Sequence, residues 1–161
     1  MAFDTFARQW GTQLTAKVRV LSQVTSERVE ILSYDEYAAG LPAVTGMVLF
    51  NIPKVEAKAV IQFPTAAALS WVGHMLGGTG QRVSPERKFT QIEQALLGRI
   101  MDDALDDLHY SLGTLLRAPM TPSSIQYNSQ FAQAAASADP MIVATFEMVV
   151  GETVAPATVA I

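Results

Sequence analysis

The sequence predicts an α/β fold, a sandwich of two similar halves sharing one largely antiparallel sheet about an approximate two-fold axis. Three observations predict it. An amphipathic helical stretch opens the chain and another opens near Thr90; short β-patterned runs follow each of them; and aromatic and acidic residues recur at similar spacing. The recurrence is Tyr34, Phe50 and Glu56 in the first part and Tyr127, Phe146 and Glu152 in the second. A half of about eighty residues can bury its apolar helix only against a partner, so two halves on one sheet are the natural solution. The expected unit is a single domain over residues 1–161, with half-repeats at about 4–63 and 89–161 joined by a short helix and a GGTG loop.

Asp4 can cap a first helix in which Phe6, Trp10, Leu14 and Val18 recur every four residues, leaving Arg8 and Lys17 toward solvent and ending near Arg19. SERVEILSY then alternates Val29, Ile31 and Ser33 against Arg28 and Glu30, as a strand with one wet face does. A short connector, YDEYAAGLP, leads to GMVLFNI and AKAVIQF, two strands either side of PKVE and therefore a hairpin. Pro64 and Thr65 open a short helix lined by Leu69, Val72 and Leu76, and the glycines at Gly77, Gly78 and Gly80 stop it. Thr90 and Glu93 have capping-box spacing ahead of a long helix with Leu96, Ile100, Ala104, Leu108 and Leu112 as its core stripe, ending around Gly113 to Leu116. SSIQYNS, MIVATFEMVV and TVAPATVAI are strand-like, with the small-residue connector QFAQAAASADP between the first two.

Half of the 161 residues are hydrophobic and 16% charged, with seven Met, so exposed apolar patches and partner surfaces are expected. The formal charge is −4 and the basic residues are scattered from Arg8 to Arg117, which argues against nucleic acid as a partner. The absence of cysteine excludes a disulfide framework and a thiolate metal site. MAFDTFARQW has no apolar h-region, and the apolar run from Ala59 to Leu76 is broken by Gln62, Pro64, Thr65, Ser70 and His74, so neither a signal peptide nor membrane insertion is expected.

Candidate chemistry is thin. His74 and His109 fall on different helices with no ligand spacing beside either, so no metal site is expected there. Asp102, Asp103, Asp106 and Asp107 include pairs four apart that share a helix face, as Mg²⁺ or a basic partner would require, but a solvated helix face gives the same pattern. No G-x-S-x-G elbow, P-loop or G-x-G-x-x-G is present, and GGTGQR lacks the Lys-Ser/Thr end of a phosphate cradle. By itself GGTG reads as a helix stop.

Taken together and in order, FARQW, LSYDEYAAGLP, the MLGGTG turn, FTQIEQALLGRIM, and NSQFAQ followed by VATFEMVVGET resemble the landmarks of the flagellar motor switch protein FliM family, in its middle domain. The resemblance covers nearly the whole chain. It implies a duplicated fold of the CheC, CheX and FliY kind with pseudo-two-fold symmetry. It also implies a non-enzymatic structural and signalling part of the motor switch, coupling chemotaxis signals to the direction of rotation. Such domains stand side by side in the C-ring of the basal body, on the cytoplasmic face of the inner membrane, so neighbouring FliM copies are implied partners. The family docks onto the FliG middle domain through a GGxG loop, which here is Gly77, Gly78, Thr79 and Gly80, flanked by His74 and Arg82. Glycine suits such a loop because a partner side chain can approach its backbone closely.

No cofactor is implied. Full-length members also carry an N-terminal peptide that captures phosphorylated CheY and a C-terminal domain resembling FliN; neither is visible in these residues, so the chain is expected to be a middle domain alone. The rival reading is a CheC-type phosphatase of phosphorylated CheY, which needs an E-x-x-N pair on one helical turn to hold the attacking water. Val48 and Ile125 stand three residues before the two asparagines, Asn51 and Asn128, and Leu96 and Arg99 occupy the place in the long helix where the phosphatases carry their pair.

Overall fold

Phe6, Trp10, Leu14 and Val18 form a wholly buried stripe of helix α1 (Ala2–Val18) in the computed structural model, which describes residues 2–41, 44–51, 58–75, 90–112, 121–128, 140–151 and 153–161. After α1 come β1 (Ser22–Ser33), α2 (Tyr34–Ala39), β2 (Val44–Asn51), β3 (Lys58–Phe63) and α3 (Thr65–Met75). Then follow α4 (Gln91–Leu112), β4 (Thr121–Asn128), β5 (Pro140–Val150) and β6 (Thr153–Ala160). The strands make one six-stranded sheet in the order β1-β5-β6-β3-β2-β4, every neighbouring pair antiparallel.

That order is its own reverse when β1 is exchanged with β4, β2 with β5 and β3 with β6. The pseudo-two-fold axis therefore runs between β3 and β6, which meet along Val60↔Ala160, Ile61↔Val159 and Gln62↔Thr158. Phe50 faces Ala59 across β2 and β3, and Phe146 faces Ala157 across β5 and β6, so the two phenylalanines occupy matching places. The two tyrosines do not: Tyr34 opens α2, whereas Tyr127 lies within β4. Glu56 and Glu152 lie outside the described residues.

Strand alternation sorts the side chains to two faces. On one face Val48, Phe50, Ala59, Ile61, Phe63, Ala144, Phe146, Met148, Ala157 and Val159 join the buried sides of α1, α3 and α4 in one core. The rings of Phe6 and Trp10 both pack on Phe146, at 5.6 and 6.4 Å. On the other face Tyr34 and Tyr37 of α2 close over Met47, Leu49, Val60, Met141 and Val143.

The short connector after β1, YDEYAAGLP, holds α2. Ser33 caps it, accepting from the Glu36 backbone N–H at 3.2 Å, while the Glu36 carboxylate accepts from the Ser33 N–H at 3.1 Å. That reciprocal cap is legible as S-x-x-E in LSYDEY. In α4 the buried stripe is broader than expected: Leu97, Met101 and Leu105 are buried beside Ile100, Ala104 and Leu108, and Leu96 is only partly buried at its flank. The cap from Thr90 to Glu93 is present, with Thr90 N–H donating to Glu93 at 2.8 Å.

β1 departs from expectation more. It begins at Ser22, and Glu27 bulges out of register between Ser26↔Phe146 and Arg28↔Thr145. Val24 is buried under α1, but Val29 and Ile31, expected on a covered face, are 46% and 74% exposed. α1 covers only the first part of this edge strand. The Ser22 N–H donates to Thr15 Oγ1 at 2.9 Å, and a Cβ on Gly11 would stand 3.2 Å from the Val24 nitrogen, so helix and strand backbones touch there.

Candidate partner-docking site

α3 carries the chain from the core to the expected docking loop. Its first residues follow β3 directly, with the Ala68 N–H donating to the Pro64 carbonyl at 3.2 Å. The sequence suggested one apolar side, with Leu69, Val72 and Leu76. In the structure Thr65 and Ala67 through Val72 are all buried, because sheet, α1 and α4 surround the helix. Trp71 anchors it with its ring 5.4 Å from that of Phe63. Gly46 makes room for this pair, since a Cβ there would meet the Phe63 ring at 2.7 Å. Gly73, His74 and Met75 are then only partly buried, so the last turn of α3 emerges at the surface.

Of the expected docking residues, His74 lies in this emerging turn. Gly77, Gly78, Thr79, Gly80 and Arg82 lie outside the described residues, as does Leu76.

The acidic run on α4 divides. Asp102 and Asp106 are exposed, whereas Asp103 and Asp107 turn toward a flank of the helix and are partly buried. Lys17 of α1 stands 3.6 Å from Asp103, an ion pair too long for a hydrogen bond. Burial, and after it the charges of Asp103 and Asp106, pushes the Asp107 carboxyl up to about 6. Among the described residues no group of three or more His, Cys, Asp and Glu side chains is placed to hold a metal ion, and His74 and His109 stay on separate helices. No described helix is long and apolar enough to cross a membrane.

Both asparagines fall on strands, Asn51 at the end of β2 and Asn128 at the end of β4, and Val48, three residues before Asn51, points to the opposite face of the sheet from it. On α4, Leu96 packs against the core and Arg99 is exposed. The family model described as Flagellar motor switch protein FliM matches residues 1–157.

The chain belongs to the FliM family.

FliM of Treponema pallidum is 26% identical over 149 residues, covering 92% of this chain and 43% of that protein, so the chain spans less than half of this relative. Among solved structures, a chain of the FliG-FliM complex from H. pylori superposes with a TM-score of 0.90 at 20% identity, covering 99% of this chain and 87% of that one. The FliM middle domain from Vibrio alginolyticus gives 0.82 at 17% identity, covering 99% and 90%. A CheC-like superfamily protein from Shewanella follows at 0.56 and 10% identity, covering 99% and 96%. The FliM-family chain thus has the duplicated CheC-like fold of the FliM middle domain.

A buried polar chain crosses the sheet on the α2 side: the Tyr37 hydroxyl lies 2.7 Å from Thr158 Oγ1, which donates to Gln62 Oε1 at 3.0 Å. Gln62 Nε2 donates to Thr45 Oγ1 at 2.8 Å, and Thr45 donates to the Phe63 carbonyl at 3.0 Å. Thr158 has a single hydrogen and commits it to Gln62, so Tyr37 must be the donor at the start. Burial pushes the Tyr37 phenol well above its ordinary value, which keeps it protonated for that role.

Proposed function

We propose that this chain is a non-enzymatic docking and signalling module of the flagellar motor switch, seated on the FliG middle domain by its GGTG loop. The observation that carries the reading is the superposition of this FliM-family chain, along 99% of its length, on a chain of the H. pylori FliG-FliM complex. The emergence of α3 at His74 supports placing the contact on Gly77, Gly78, Thr79 and Gly80, with His74 and Arg82 at its rim. In this reading the 161 residues are one domain, with half-repeats near 4–63 and 89–161. Neighbouring copies stand beside it in the C-ring of the basal body, on the cytoplasmic face of the inner membrane, and the module passes chemotaxis signals on as a change in rotation. Capture of phosphorylated CheY and of FliN belongs to segments of full-length family members outside these residues. Phosphatase chemistry is disfavoured because neither asparagine stands on a helix.

The test is a binding titration against the FliG middle domain beside thermal unfolding of the same samples. Thr79→Trp is expected to leave the melting temperature nearly unchanged while weakening binding by on the order of 1 to 2 kcal/mol or more, as a central contact does. His74→Ala and Arg82→Ala should weaken it less, as rim contacts do. Unchanged affinity in a stably folded Thr79→Trp variant would show that the loop is a helix stop and that FliG sits elsewhere.

A further inference from the structure

Among the described residues no strand pairs with the outer edge of β1, and that edge is complementary to itself. The direction of its backbone groups follows from the hydrogen bonds between Ile142 and Ile161, each donating to the other's carbonyl at 3.0 Å. Antiparallel pairs alternate, so Ile142 and Ala144 turn their N–H and C=O toward β6, while Met141, Val143 and Thr145 turn theirs toward β1. Their partners Leu32, Glu30 and Arg28 therefore bond inward to β5. Val29 and Ile31, between them, present their backbone N–H and C=O to the outside of the sheet. The start of the strand is protected differently, because there the N–H of Ser22 is bonded to Thr15 of α1.

The side chains along this open stretch have matching character. Val29 and Ile31 are 46% and 74% exposed, and Ile142, which faces Ile31 on β5, is 41% exposed. Arg28 and Glu30 project to the opposite face and pair with each other at 3.1 Å, Arg28 largely in solvent and Glu30 partly so. A second copy of β1, laid antiparallel with Val29 facing Val29, sets Arg28 opposite the other copy's Glu30 and Glu30 opposite its Arg28. The Val29 pair then exchanges two backbone hydrogen bonds. The two Arg–Glu pairs fall on the non-hydrogen-bonded positions, where side chains lie closest. The same alignment places the Val29 side chains together on the face that carries Ile31 and Ile142.

We propose that two copies of this chain associate through their β1 edges, as a two-fold pair centred on Val29 with reciprocal Arg28–Glu30 contacts. Such a pair is isologous, so it closes on itself and differs from the side-by-side contact that builds a ring. It involves neither α3 nor the loop after it, and its failure would leave the docking reading untouched.

Sedimentation equilibrium and amide hydrogen exchange of the 161-residue chain test it, at concentrations up to about 1 mM because so small a contact is weak. A monomer–dimer equilibrium is expected, with the Val29 and Ile31 amides gaining protection as concentration rises, while Arg28 and Glu30, already bonded to β5, do not change. Val29→Pro removes only an outward N–H and should abolish the dimer. Arg28→Glu and Glu30→Arg, made singly, oppose like charges twice in each pair and should raise the dissociation constant by about tenfold. Together the two changes restore opposite charges and should recover the wild-type constant within about threefold. A chain that stays monomeric throughout the range overturns the proposal, as does a dimer indifferent to the charge reversals and their combination. The reversals decide the matter even if Val29→Pro fails to fold.

Discussion

Replacing Gln62 with Leu breaks the buried polar chain at its middle and should destabilise the protein by about 2 kcal/mol. Gln62 is 3% exposed, and both ends of its amide are used. Without it, Thr45 keeps its donation to the Phe63 carbonyl and loses only an incoming hydrogen, a small loss. Thr158 loses its acceptor; it can turn its hydrogen to the Tyr37 oxygen, but then the Tyr37 hydrogen has none. Either the part-buried Thr158 hydroxyl or the buried Tyr37 hydroxyl is left with an unsatisfied hydrogen, costing roughly 1–3 kcal/mol in place of one bond, and the second neutral hydrogen bond, worth about 0.5–1.5 kcal/mol, is gone. The apolar side chain of Leu returns on the order of 1 kcal/mol through burial. Tyr37→Phe, at the donor end of the same chain, strands no hydrogen and should cost less than about 1 kcal/mol. Urea unfolding of both variants measures the difference, and the Gln62→Leu variant should melt about 4–8 °C below wild type. Equal costs for the two substitutions, or a larger one for Tyr37→Phe, would refute the directional reading of the chain.

Three further outcomes are expected. Gly46→Ala should cost about 1–3 kcal/mol in urea unfolding, because the new methyl group meets the Phe63 ring at 2.7 Å and that ring is held by Trp71. Asp107→Asn should stabilise the chain at neutral pH. The folded carboxyl titrates near 6, above its unfolded value, so its contribution is fully present below about pH 4 and is lost as pH rises through about 6. Discounted for solvent screening of this half-exposed group, the gain is on the order of 1 kcal/mol at about pH 7.5, vanishing by about pH 4 in melting curves taken across that range. The purified chain should leave the decay of phosphorylated CheY at its spontaneous rate, and marked acceleration in a phosphate-release assay would contradict the non-enzymatic reading.

Local pattern was enough for much of this fold. Every fourth residue from Phe6 to Val18 is apolar, and a helix can satisfy that spacing only by turning one stripe inward, so the buried face of α1 was readable without a partner in view. The Thr90 and Glu93 cap and the β2–β3 hairpin were legible for the same reason, since their determinants lie within a few residues. The S-x-x-E ahead of α2 is equally local, although the segment around it reads only as a short connector. The proposed docking motif rests only on an ordered resemblance, because glycines after a helix have the same composition whether they stop it or bind a partner.

Other features depend on which strand lies beside which. Val29 and Ile31 alternate as covered residues do, and they are exposed because α1 ends its cover at the start of an edge strand. Tyr34 and Tyr127 looked like repeat partners by spacing, whereas the strand order places the symmetry axis between β3 and β6 and matches Phe50 with Phe146. Gln62, Thr45, Thr158 and Tyr37 are spread over more than a hundred positions and are ordinary polar residues in isolation. Sequence alone determined the helical stripes, the caps and the family. Tertiary structure decided which apolar faces stay open and which polar groups meet, because burial and hydrogen-bond partnership come from neighbours that the chain brings together only when it folds.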